Sequence, residues 1–274
     1  MGKGVIESLT NDNNNLPTSS AVYLETSKLQ TAVDTKMDKN NPKGTGTFNF
    51  NTSGATGTNA VAFGGHAEGS NSFAFGSQSR ATGNYSFAYG FNAKATGDFS
   101  YCEGRNNEAS GSDSHAEGSQ TLASAQGAHS EGRSTTASGN GSHAEGDDTI
   151  ASGVSSHAEG NTTIASGWNS HTSGFGTTAR TKSQFVIGEF NLLDSKTTAH
   201  SRGDYVFIVG KGTADDARSN AMTVDWSGNI HGANKLSHGG GHVVSADGAY
   251  AGGSSNTASG AYSHAEGAGT TASG

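Results

Sequence analysis

Histidine and glutamate recur two residues apart, as His115/Glu117, His129/Glu131, His143/Glu145 and His157/Glu159. An imidazole next to a carboxylate is the raw material of a metal centre or of acid–base catalysis. Such centres draw their groups from several elements that converge on one point. Here one pair returns at fourteen-residue steps and grades into other residue types at both ends. Upstream the same two positions hold Phe73/Phe75, Phe87/Tyr89 and Tyr101/Glu103; downstream they hold His171/Ser173. A repeating pair that changes character along the chain reads as a structural ladder. The expectation is therefore a non-enzymatic chain with no catalytic residue, no cofactor and no metal-ligand set.

Shorter motifs do not change that expectation. Arg202-Gly-Asp204 spells an integrin-type tripeptide, but three-residue matches arise readily by chance. Gly210-Lys-Gly-Thr213 lacks the spacing and the hydroxyl residue after Lys211 that a phosphate-binding loop needs. His238 and His242 are separated by three glycines, which suits a loop and not one face of a helix. Cys102 stands where other repeats carry Ala, so it reads as a small buried residue; a single Cys also rules out an intrachain disulfide framework. Trp168 sits in an Ala-Ser-Gly-Trp turn, and an exposed aromatic there would suit stacking on a sugar.

The elements that must position the ladder follow from its period. Stepping by seven from Gly69 to Gly174 meets sixteen slots, of which fifteen are Gly and one is Ala125. Two kinds of half-repeat alternate, Ser142-His-Ala-Glu-Gly146 and Ala151-Ser-Gly153 being one example of each. Seven residues are too few for a helix and a return, but they suit a strand of four or five residues and a corner. The slot glycines (Gly76, Gly83, Gly90, Gly97, Gly104, Gly111, Gly118, Gly132, Gly139, Gly146, Gly153 and Gly160) are expected to turn those corners with positive φ. Two halves close one coil, and successive coils stack as parallel strands about 4.8 Å apart. Side chains alternate along a strand. One face is therefore always small (Ala74, Ala88, Cys102, Ala116, Ala144, Ala158), and the opposite face carries the ladder. The predicted class is mostly β, a parallel β-roll or β-helix of 14-residue coils.

Composition agrees. The chain has 42 Gly in 274 residues, about twice ordinary usage, and only 31% apolar residues, so its core must be thin. A net charge of −8 argues against nucleic acid as a partner, and no apolar run is long enough for a membrane-spanning helix. Residues 1–15 contain no apolar h-region, so no secretory signal is expected there.

The Ser-x-Ala-x-Gly…Ala-Ser/Thr-Gly repeat resembles the head repeats of trimeric autotransporter adhesins. Its His-Ala-Glu-Gly version is similar to repeats in tail fibres and receptor-binding proteins of phages. The resemblance implies a homotrimer of parallel β-rolls. The exposed ladder then either lines the contact between chains or sits at its solvated edge, and threefold rings of His would be a further route to a metal.

Flanking segments complete the expected organisation. Residues 1–57 read as an attachment segment with a helix over about 20–37 and a short coiled coil, resembling the N-terminal helix of phage fibres. Residues 58–178 form the repeat shaft, 179–245 an inserted β module resembling one common in phage tail proteins, and 246–274 the start of a second roll. On this resemblance the chain is expected to be a phage tail fibre or baseplate receptor-binding protein on the virion tail. Its expected partners are its own trimer copies, other tail proteins through residues 1–57, and a host-surface glycan or protein. A bacterial trimeric surface adhesin, a non-binding spacer, and a depolymerase whose catalytic part lies beyond this sequence are the alternatives.

Overall fold

A computed structural model describes residues 48–50, 54–232, 235–240, 243–244 and 248–273. The expected helix over 20–37 lies outside the described residues. The described residues form a β-solenoid, mostly parallel, as the repeat predicts.

Up to Ala179, each coil contributes one strand to each of two sheets. The coil that begins at His143 places His143–Asp147 in a fourteen-stranded sheet and Ile150–Ala151 in a ten-stranded one. The register between coils is in phase: His143 pairs with His157, Ala144 with Ala158, Glu145 with Glu159 and Gly146 with Gly160. The second strand of each coil is only two residues long, shorter than the four or five expected. The remaining residues of that half turn the corner instead.

The core is two facing columns of Ala. Ala74, Ala88, Cys102, Ala116, Ala144 and Ala158 come from the long sheet, and Ala81, Ala95, Ala109, Ala123, Ala137, Ala151 and Ala165 from the short one; all are fully buried. Methyl against methyl is what lets seven residues close half a coil. The core widens toward the end of the roll, where the long-sheet column runs Thr172, Val186, Ile208.

Two kinds of glycine make the coil possible, and only one kind behaves as expected. Gly76, Gly90, Gly104, Gly118, Gly132, Gly146 and Gly160 have φ between +104° and +131°. Gly83, Gly97, Gly111, Gly139 and Gly153 do not have positive φ, which corrects the expectation for these corners. They are required by close approach: a Cβ on Gly139 would lie 2.0 Å from the Gly153 carbonyl oxygen of the next coil. The left-handed residue of that corner comes two positions later and is seldom glycine; it is Tyr85, Phe99, Asp113, Ser155 or Asn169, at φ of 53° to 58°. A serine clamps the corner, with Ser86 Oγ donating to the Gly83 carbonyl at 2.6 Å and Ser100 Oγ to that of Gly97 at 2.6 Å.

The roll extends beyond both boundaries read from the repeat. Phe48–Phe50 pairs in parallel with Val61–Phe63 at one end. At the other, Phe185–Glu189 and Tyr205–Lys211 continue the same sheet, within the segment expected as an inserted module. Tyr205–Lys211 then pairs antiparallel with Asn220–Asp225, which pairs with Ile230–Gly232, so the stack ends in an antiparallel cap. A separate roll has two three-stranded parallel sheets and begins at Lys235–Gly240, upstream of the expected start at 246. No helix among the described residues is long and apolar enough to cross a membrane.

Candidate functional site: an outward ladder on the roll

The outward positions of the long sheet stack into two columns. The first runs Phe73, Phe87, Tyr101, His115, His129, His143, His157, His171, Phe185 and Phe207, one ring per coil. Phe73, Phe87 and Tyr101 lie nearly parallel, with ring centroids 5.0 Å apart. His115, His129, His143 and His157 stack at 4.6–4.7 Å with their planes within 12° of parallel. The stack opens at both ends of the histidine run: Tyr101 meets His115 edge-on at 88°, and His157 meets His171 at 56°. Strand spacing sets this geometry, since in-register parallel strands place identical side chains one rung apart.

The second column runs Phe75, Tyr89, Glu103, Glu117, Glu131, Glu145 and Glu159. Phe75 and Tyr89 stack at 5.4 Å. The glutamates line a shallow groove floored by Gly118, Gly132, Gly146 and Gly160. Each histidine Nε2 faces the carboxylate of the preceding coil: His129 to Glu117 at 3.6 Å, His143 to Glu131 at 3.9 Å, His157 to Glu145 at 3.4 Å and His171 to Glu159 at 3.4 Å.

Stacked like charges reset the acidity of this face. Glu117 and Glu145 are each pushed up to about 7, first because each hydrogen-bonds to Glu131 and then by burial. Glu131 is held below the usual carboxylate range by those same hydrogen bonds, and Glu159 mainly by one from Ser173. In mildly acidic solution, below about pH 7, Glu117 and Glu145 therefore hold protons between the carboxylates of Glu131 and Glu159, which removes part of the repulsion along the stack. Burial, followed by the charge of neighbouring histidines, lowers His115, His143 and His157.

Every residue expected in the ladder lies on this face, in chain order. It is only partly covered in one chain: Phe75, Tyr89 and Tyr101 are 41%, 48% and 38% exposed. Sequence reasoning missed Phe185 and Phe207. Gly188 falls fourteen residues after Gly174, a signal that would have found Phe185. Phe207 is hidden because its coil carries a longer connection, 22 residues separating it from its partner Phe185. Also missed were Tyr85 and Phe99, a parallel pair at 5.0 Å on a corner, 57% and 59% exposed.

The other motifs are absorbed by structure. Arg202 lies over the Trp226 ring at 4.4 Å, and Asp204 accepts a hydrogen bond from Ser195 and pairs with Lys196, so the tripeptide is tied to its own loop. Trp168 packs at 5.6 Å against His200 and stays 42% exposed. Cys102 is buried, which pushes its thiol up to about 12 and leaves no nucleophile. His242 lies outside the described residues.

Comparison with known proteins agrees with this geometry. No curated protein matches the chain. Residues 51–67, 67–93, 130–156 and 144–170 match the sequence model of the YadA head domain repeat. The matched coils, at both ends of the ladder, are thus similar to the head repeats of the trimeric autotransporter adhesins.

Proposed function

We propose that this chain forms part of a trimeric adhesin-type rod, non-enzymatic, that holds binding surfaces against a cell. The observation that carries this reading is the one-sided ladder. A column of Phe, Tyr and His that stays partly exposed along one flank of a thin roll is an association surface. Three identical flanks meeting on an axis close it symmetrically. The match to YadA head repeats supports the same arrangement. The stiff stack then acts as a spacer, and three copies of each distal surface raise weak contacts through effective concentration.

The adhesin reading takes precedence over the tail-fibre expectation, because the repeat match supports the former and gives no support to the latter. On this reading the chain sits at a bacterial surface. Native mass is the first test. A trimer is expected at 82.8 kDa, three times 27.6 kDa, and a monomer at 27.6 kDa would sink the proposal. Labelling intact cells with an antibody to the roll then tests its place. Recovery of the chain only in purified phage particles would transfer the same mechanism to a tail fibre.

A further inference from the structure

One part of the ladder is arranged for a chemistry that the stack does not use. Glu145, His157 and Glu159 each offer one ligand atom, and the three atoms lie within 4.8 Å of one another. The Nε2 atom of His157 is shielded from solvent yet makes no hydrogen bond, and Glu145 Oε1 stands 3.4 Å from it. In a tetrahedral site with bonds of about 2.0–2.2 Å, neighbouring ligand atoms are about 3.4 Å apart. The groove around these carboxylates is lined by glutamates and glycines.

The same one-imidazole arrangement recurs two coils earlier, where His129 Nε2 stands 3.6 Å from Glu117 and 3.9 Å from Glu131; sets built on two histidines are less suited. His115, Glu117 and His129 also cluster, but the two rings are stacked at 4.6 Å with planes 7° apart. Imidazole lone pairs lie in the ring plane, so parallel rings point their lone pairs along parallel lines and not at one ion. His129, Glu131 and His143 share that defect, with planes 12° apart. The Glu145 cluster needs only one imidazole, and its two carboxylates can turn toward the ion.

We propose that Glu145, His157 and Glu159 bind a divalent transition cation of the zinc class, with water completing its coordination. Imidazole nitrogen with carboxylate oxygen suits such ions; calcium and magnesium favour oxygen alone. The ion joins one coil to the next, with Glu145 on one coil and His157 and Glu159 on the other. It acts as a staple on the roll and supplies no catalysis.

The test uses the full chain, stripped with a chelator, desalted and titrated with ZnCl2 or, separately, CaCl2. Zinc is expected to be retained at roughly two ions per chain, one at His157 and one at the equivalent His129 set, and to raise the melting temperature, with calcium doing neither. His157→Gln should weaken binding at its own site by about tenfold or more, lowering the zinc retained by roughly one ion per chain, while His115→Gln leaves the zinc retained unchanged. No zinc retention, equal binding by His157→Gln, or equal response to calcium would each overturn the proposal. Should His157→Gln fail to fold, Glu159→Gln replaces it. The visible spectrum of the Co2+-loaded parent is an independent readout: four-coordinate bands support the site, and the weak spectrum of hydrated cobalt overturns it.

Discussion

Gly139 lies directly against Gly153 of the next coil, so close that a Cβ on Gly139 would stand 2.0 Å from the Gly153 carbonyl oxygen. Two residues on, Gly141 has φ of +61° and only Ser155 Oγ near its Cβ position, at 3.9 Å. The two glycines look alike in the sequence, but one answers to crowding and the other to backbone conformation. Gly139→Ala should therefore destabilise by about 1–3 kcal/mol or more, as overpacking does. Gly141→Asn should change stability by about 0.5 kcal/mol at most, because Asn tolerates the left-handed region that Asn169 occupies in an equivalent corner. Thermal or chaotrope unfolding of the two variants checks this, and equal losses would mean that the coil spacing is wrong.

That contrast also marks what the sequence reveals and what it conceals. The Ala column and the ladder were readable because in-register stacking copies one residue type to the same place in every coil. Ala74, Ala88 and Ala116 announce an interior only a methyl deep. The role of each glycine was not readable, since crowding and positive φ both select Gly. Nor was the end of the roll, because the long connection before Phe207 breaks the period while the pairing of Phe185 with Phe207 preserves the stack. The histidine–glutamate chemistry was half readable. The residue pair was plain, but the alternation of carboxyl and carboxylate arises only from contact between coils.

Glu117 gives that alternation a measurable consequence. Its folded pKa of about 7 lies above its ordinary value of 4.5, so between those values the folded chain holds a proton that the unfolded chain has released. Stability contributed by that proton is present below pH 4.5 and is lost as pH rises through about 7. Glu117→Gln keeps a donor toward Glu131 and never ionises. With a chelator present, the variant should melt higher than the parent at about pH 8, and the gain should disappear near the ordinary carboxylate range. A gain that does not depend on pH would show that Glu117 is not protonated by its neighbours.

His115 has the opposite sign. Burial, and then His129 stacked on it, hold its pKa below the ordinary 6.5, against opposing pulls from Glu103 and Glu131. The unfolded chain thus takes up this proton first, and stability falls as pH drops from 6.5 through the folded value. His115→Phe continues the ring column, as Phe87 does beneath Phe73, without a titrating group. The variant should lose less melting temperature than the parent between about pH 7 and pH 5. An identical loss would assign the acid sensitivity elsewhere.

Asn107 is fully inside the roll, where most coils have Thr, and it bridges its own coil to the next. Its Nδ2 donates to the Gly118 carbonyl at 2.9 Å and to the Glu103 carbonyl at 2.5 Å, while its Oδ1 accepts from the Thr121 backbone N–H at 2.9 Å. Asn107→Ala strands a buried N–H and two carbonyls and should cost about 1–3 kcal/mol. Asn107→Thr keeps a hydroxyl like that of Thr135, which donates to the Glu131 carbonyl at 3.1 Å, and should cost less. Denaturant midpoints of the two variants order the effects, and Asn107→Ala unfolding no earlier than Asn107→Thr would refute this account.

Tyr89 separates association from folding. It is 48% exposed in the single chain and touches Phe75, so a polar replacement costs the coil little. If three ladders meet on an axis, the same replacement places charge in the contact. Tyr89→Asp should shift the native mass from trimer toward monomer at low micromolar concentration while the β spectrum of the chain is unchanged. Val154→Asp is the control, since Val154 is 38% exposed on a corner away from the ladder. That variant should stay trimeric. Two variants that assemble equally well would show that the ladder faces solvent, and the contact between chains would then have to lie on another side of the roll.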